Sequence, residues 1–210
     1  MNDDVARGHE PRATLALWDY RRRVAELYAT VRSLPPEPGW RTWRSGRDAI
    51  FATHPQSAIP LDERNAFDGL PCFDYDPALR VVAAVGPVDG PGIALPHSGD
   101  GSTPARPFGT ATCDLPGGTA VLTLYWLEQY GGGVFLPFRD ATNGAETYGG
   151  GRYLLDTAKG ADLGAAGDGV VLDFNFAYHP SCVHDPSWSC PLSPAANRLG
   201  FEVRGGERLA

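Results

Sequence analysis

The sequence predicts an α+β protein, mostly β, with amino-terminal helices packed on an antiparallel β-barrel or sandwich of about seven strands. Three observations lead there. Apolar residues recur at three- and four-residue steps between Pro11 and Leu34, the spacing of one helix face. After Leu79 the apolar period changes to two, the spacing of strands. The 210 residues include 26 Gly and 19 Pro, a composition that favours many turns between short strands over long helices. The expected organisation is a helical segment over residues 1–70 and a β domain over 71–210, integrated as one domain.

In the first helix the repeating set is Leu17, Val24, Leu27, Tyr28, Val31 and Leu34, with most of the arginines on other faces. Pro35, Pro36 and Pro38 are expected to end it. A second helix is predicted from Trp43 to Thr53, stopped before Pro55, with Trp40, Trp43, Ile50 and Phe51 packing it inward. His54 reads as a helix-end residue. LRVVAAV, from Leu79, is the first strand, and Gly86–Arg106 reads as one long loop dense in Gly, Pro and Ser. Its adjacent His97 and Ser98 suggest a nucleophile and base, but no G-x-S-x-G elbow is present and a serine hydrolase is rejected. Thr110–Leu115 should pair with TAVLTLYWL across Pro116-Gly117-Gly118. VFLPFRD, RYLLD, GVVLDFNF and LGFEVRG supply the remaining strands. Pro137 lacks an N–H, so its strand should lie at an edge or end early there.

Candidates for chemistry concentrate between Leu136 and Asn197. In GVVLDFNFAY, Val170, Leu172, Phe174 and Phe176 alternate with Val171, Asp173 and Asn175. An acid beside aromatic residues on a strand needs a reason, because Asp is depleted there. The D-A-T-N-G turn explains Asp140, Thr142 and Asn143 through turn chemistry alone. The functional reading has Asp140 and Glu146 bracket a pocket with Arg152 and Tyr153, beside the glycines Gly149–Gly151. Neither a P-loop nor a dinucleotide fingerprint is present. An acid flanked by aromatic side chains is costly to bury unpaired, so Asp140, Arg152 and Asp173 are expected to converge.

These stretches carry a resemblance. F-R-D-A-T-x-G-x-E-T-Y-G-G-G-R-Y-L, D-F-N-x-A-Y-x-P-x-C and C-P-L-x-P-x-x-N-R-L are similar to the signatures of the bacterial and archaeal domain of unknown function 1684. The similarity extends upstream through RDAIFATHPQSAIP and GLPCFDYDPALR. It implies a shared fold and no assigned activity.

Of the four cysteines, Cys72 and Cys113 stand alone among apolar residues, while Cys182 and Cys190 share one Pro-rich loop. Three readings stay open for that pair: a disulfide, a zinc site completed by His184 or His179, or free thiols. The two are expected close enough to be bridged. A formal charge of −7 and a pI near 5.1 argue against sequence-independent binding to nucleic acid or an anionic membrane. No run of 18 apolar residues exists and the polar amino terminus is unlike a signal peptide, so a soluble, cytoplasmic protein is expected. The functional expectation is a polar pocket for a small carboxylate- or phosphate-bearing molecule. Asp140, Arg152 and Asp173 would do its chemistry, with Thr142, Glu146, Tyr148, Tyr153, Asn175 and Tyr178 holding the ligand. Non-catalytic binding and internal scaffolding are the alternatives. No motif specifies a cofactor.

Overall fold

The computed structural model describes residues 11–210. Two helices come first, α1 (Pro11–Arg32) and α2 (Pro36–Thr53). Pro36 does not merely end the first helix. It opens the second, since a first-turn proline lacks only an N–H that would be unsatisfied anyway. Val24, Tyr28 and Val31 of α1 and Trp40, Trp43, Ile50 and Phe51 of α2 are buried. His54 caps α2 and bonds Asp19 of α1 at 3.2 Å.

Eight strands follow: β1 (Arg80–Pro87), β2 (Ile93–Pro96), β3 (Ser102–Leu115), β4 (Gly118–Leu127), β5 (Val134–Phe138), β6 (Arg152–Asp156), β7 (Ala165–Ala166) and β8 (Gly169–Asp173). They form one antiparallel sheet in the order β6-β5-β4-β3-β1-β8-β7, with β2 paired to β3, curled into a half-barrel. The segment read as a long loop over Gly86–Arg106 thus contains β2 and the start of β3. LGFEVRG forms no strand. That segment is held by single bonds instead, Leu199 N–H to Arg139 O and Phe201 O from Ala141 N–H, and just beyond it Glu207 N–H bonds Ala177 O.

The predicted strand through Phe176 stops at Asp173, and Phe174–Phe176 turn as one 3₁₀ coil. The cause is local: the Asp173 carboxylate accepts from the Asn175 N–H at 3.0 Å and bends the chain. Apolar alternation continues through such a turn, so period alone did not expose it.

Two apolar clusters flank β5 and β6. Phe135 and Tyr153 belong to the cluster beneath the helices, whereas Leu136, Phe138, Leu154 and Leu155 belong to the cluster that also holds Leu122, Leu172 and Phe174. All five β6 residues are buried, which is what a strand covered on both faces requires.

β5 is neither an edge strand nor ended by Pro137, since it runs on to Phe138 paired with β6, but its ladder to β4 stops short. Pairing holds at Tyr125–Phe135 and Trp126–Val134 and goes no further along β5. Continued register would set Thr123 opposite Pro137, and the fully buried Asn197 side chain fills that gap. Its amide donates to Thr123 O and Pro137 O, both at 2.8 Å, and its oxygen accepts from Thr123 N–H at 2.8 Å. One side-chain amide stands in for the missing peptide contacts. Asn197→Ala would strand three backbone groups, the buried Pro137 carbonyl and the part-buried Thr123 N–H and carbonyl. Urea unfolding should show a loss of about 3 kcal/mol, at 1–3 kcal/mol for each unsatisfied group with partial relaxation. A loss below ~1 kcal/mol would mean that water replaces the amide.

His179 is buried, its pKa lowered to about 3 by desolvation and by the nearby Arg152, and its Nε2 accepts from the Tyr148 N–H at 3.2 Å. The folded protein therefore keeps a neutral ring where the unfolded chain binds a proton, so this group's stability is lost as pH falls below about 6.5. His179→Gln, compared with the parent between pH 6.5 and 4.5, should flatten the fall in stability by about 1.4 kcal/mol per pH unit. Chemical unfolding across that window measures the difference.

Candidate functional site

Asp140 and Arg152 meet as expected. Both side chains are fully buried and joined at 2.6 Å. Asp140 accepts further bonds from the Thr142 N–H at 2.8 Å and from the Thr142 hydroxyl. Asn143 closes the turn by accepting from the Asp140 N–H at 2.6 Å and donating to Tyr148 O at 2.7 Å. The other bonds of the Arg152 terminal nitrogens reach backbone, Nη1 to Gly205 O and Glu207 O and Nη2 to Val203 O at 2.8 Å, while the buried Nε has no partner among the described residues. The guanidinium also stacks 5.1 Å from the Phe138 ring. Both of its terminal nitrogens are engaged by protein, and neither residue opens onto a cavity.

Asp173 does not join them. It sits directly across the β1–β8 ladder from Arg80, and its carboxylate takes Arg80 Nη1 at 3.1 Å and Asn175 Nδ2 at 2.8 Å. Burial pushes its pKa up against those bonds. Asn175 in turn exchanges two bonds with the Asp76 backbone, at 2.8 and 2.9 Å, and its carbonyl accepts from Trp40 Nε1 at 3.0 Å. The pair therefore moors the segment before β1 and one end of α2. Arg80 lies 93 positions from Asp173 in sequence, and strand register, invisible in a local pattern, brings the two together.

The other expected site residues divide. Thr142 belongs to the Asp140 turn, bonded to Thr147 at 2.8 Å. Glu146 makes an exposed ion pair with Arg204 at 3.0 Å. Tyr148 places its hydroxyl 3.9 Å from the Cys182 sulfur. Tyr153 and Tyr178 face a cavity that neither acid reaches. Cys182 and Cys190, for which the sequence leaves a disulfide, a zinc site and free thiols all open, are both free, half-buried thiols. Among the described residues no group of three or more His, Cys, Asp and Glu could hold a metal ion.

The cavity encloses about 290 Å³ between the two helices and the sheet. α1 contributes Leu17, Tyr20, Arg21, Val24 and Tyr28, and α2 contributes Arg47 and Phe51. Tyr153, Lys159 and Tyr178 close the far side, and Trp188 to Pro191 form the rim. Three cationic side chains line it and no carboxylate does. Arg47 is buried, bonded through Nε to Glu207 at 2.7 Å and flanked by the rings of Phe51 at 5.0 Å and Tyr178 at 4.8 Å. Lys159, half-exposed, lies 2.7 Å from Asp156. Tyr153 donates to Pro191 O at 2.5 Å and Tyr178 to Asp156 at 3.3 Å. Tyr28 differs. Its oxygen accepts from Trp43 Nε1 at 3.0 Å, while its own O–H has no acceptor among the described residues. Burial raises all three phenol pKa values, which keeps them protonated. Of the helix residues of this wall, Leu17, Val24, Tyr28 and Phe51 read in sequence only as core positions and Arg21 as part of a solvated face; nothing in a 3.6-residue period separates a side chain that fills space from one that borders it.

No helix among the described residues is long and apolar enough to cross a membrane. No curated protein matches the sequence. An uncharacterised protein of Haloarcula marismortui, solved in solution by NMR, is 38% identical with a TM-score of 0.60, over 82% of this chain and 94% of its own. A model described as "Protein of unknown function (DUF1684)" matches residues 65–208. The resemblance in the motifs is thereby confirmed, and the chain belongs to the DUF1684 family of proteins of unknown function.

Proposed function

We propose that the protein binds a small, largely apolar or aromatic molecule bearing one anionic group, in the cavity between the helices and the sheet. The observation behind this reading is the lining itself. Arg21, Arg47 and Lys159 are its charged side chains, without an acid among them, over walls of Tyr, Phe, Val and Leu. Ligand sites are concave and mostly apolar, with a few polar groups that fix orientation, and about 290 Å³ suits the small end of that range. Arg47 and Lys159 are each neutralised from behind by Glu207 and Asp156, so the anion's strongest new partners are Arg21 and the exposed side of Lys159. The unused Tyr28 O–H supplies a neutral donor.

Binding is favoured over catalysis because a general base is missing from the lining. Asp140 and Asp173 are consumed by Arg152 and Arg80, and the His179 Nε2 lone pair is occupied by the Tyr148 N–H. Catalysis by acid or base requires an accessible group poised near the working pH.

A series of aromatic and medium-chain aliphatic carboxylates, each matched with its neutral alcohol, tests the reading by thermal shift and isothermal titration. Carboxylates should raise Tm in proportion to their occupancy and the alcohols should bind at least about tenfold more weakly, the equivalent of ~1.4 kcal/mol. Lys159→Gln and Tyr28→Phe should each weaken carboxylates, and Val24→Trp should fill the cavity and abolish binding. Equal affinity for alcohols, or binding that survives Val24→Trp, would sink it.

The Asp140–Arg152 pair should behave as scaffold. Arg152→Ala should cost about 3–5 kcal/mol in urea unfolding, because it leaves a buried carboxylate unpaired. Unchanged stability together with lost carboxylate binding would move the site back to this pair.

A further inference from the structure

The wall of the cavity is more aromatic than a core surface needs to be. Six rings line it: Tyr20 and Tyr28 from α1, Phe51 from α2, Tyr153 from β6, Tyr178 from the segment after β8, and Trp188 at the rim. Of the larger aliphatic residues only Leu17 and Val24 reach it among the described residues. Tyr153 and Tyr178 meet edge to face, with centroids 5.6 Å apart at 78°. Cations lie over the same rings. The Arg47 guanidinium carbon is 5.0 Å from the Phe51 centroid and 4.8 Å from that of Tyr178, and Lys159 Nζ is 5.8 Å from that of Tyr153. Glu207 takes only the Nε and Nη2 side of Arg47.

We propose that the ligand of this cavity is a single-ring aromatic carboxylate, an aryl or short arylalkyl acid. Its carboxylate lies at Arg21 and Lys159 and its ring against Phe51, Tyr178 and the Arg47 guanidinium. This rests on the reading of the cavity as a site for a small anion and adds which carbon skeleton it takes. A volume of about 290 Å³ stands at the small end of ligand sites and holds one ring with a short side chain.

The argument is electrostatic. An aromatic ring has a negative face and a positive edge, so the rings of this wall attract another ring beyond the area they bury with it. A buried guanidinium beside them attracts a ring face in the same sense. A saturated ring has no such face or edge, yet it presents at least as much apolar surface. Burial alone would therefore favour the saturated ligand, whereas the charge distribution of the wall favours the aromatic one. The two causes predict opposite signs.

Isothermal titration of the full chain with matched acids reads that sign. The pairs are benzoate with cyclohexanecarboxylate, phenylacetate with cyclohexylacetate, and phenylpropionate with cyclohexylpropionate. Each aromatic acid should bind about tenfold tighter than its saturated partner, the combined effect of one ring pair and one cation over a face. Phe51→Leu should weaken phenylacetate more than cyclohexylacetate and shrink their ratio to about threefold or less. Lys159→Gln, which removes the charge and leaves the rings, should weaken both members of a pair alike. Equal or tighter binding of the saturated acids, while carboxylates still outbind their alcohols, overturns this inference and leaves the anion site standing. A ratio unmoved in folded Phe51→Leu protein also overturns it, because the preference then arises elsewhere. Failure of both members of every pair to bind removes the anion site and the inference together. The parent titrations decide the matter even where a variant does not fold.

Discussion

A guanidinium with no solvent contact organises the carboxyl-terminal part of this protein. Arg152 cannot shed its proton, so every route to burying it requires acceptors. Asp140 provides the charge, and carbonyls of Val203, Gly205 and Glu207 accept from the two terminal nitrogens. Those carbonyls belong to a segment that forms no strand. Its backbone has little else to bond, and Arg152 does for it what a neighbouring strand does elsewhere. Gly206 allows this approach: with φ at +77°, a Cβ there would lie 2.2 Å from Ala177 O. The position of Glu207 follows, and through Glu207 that of Arg47 and the bonded His179 backbone.

The same economy recurs at two other sites. Asn197 supplies peptide-like contacts where Pro137 interrupts the ladder, and Asn175 exchanges two bonds with Asp76 as a strand residue would. A short, curled sheet has many places where pairing lapses. Here side-chain amides and one arginine fill them, so that buried backbone groups remain bonded. Polar residues clustered in one stretch of sequence are thus explained by architecture as fully as by chemistry.

The cavity has a different origin. Its walls come from both sides of the point where the family match begins: α1 and α2 precede residue 65, whereas Tyr153, Lys159 and Tyr178 fall within the match. Whatever binding this cavity supports depends on how these helices sit on the sheet, and Trp43, bonded to Tyr28 and packed 5.1 Å from Phe176, ties the three together.

Local pattern was sufficient for much of this. Helical periodicity located α1 and the buried face of α2, period-two alternation located β1, β4, β5, β6 and the start of β8, and the motifs identified the family. The turn residues Asp140, Thr142 and Asn143 behave as turn chemistry demands. The pairing of Arg152 with Asp140 followed from the cost of an unpaired buried acid. What the sequence alone could not determine was which groups meet across the fold. Asp173 was grouped with Arg152 because the two are near in sequence, yet strand register sets it opposite Arg80. The aromatic positions Tyr28 and Phe51 carried only a core signature, yet they border a cavity. Ser98 and Cys190 are 92 positions apart and bonded to each other. Periodicity reports which side of an element is buried; it holds no record of what lies across the gap, and that is decided only when helix packing and sheet register close around it.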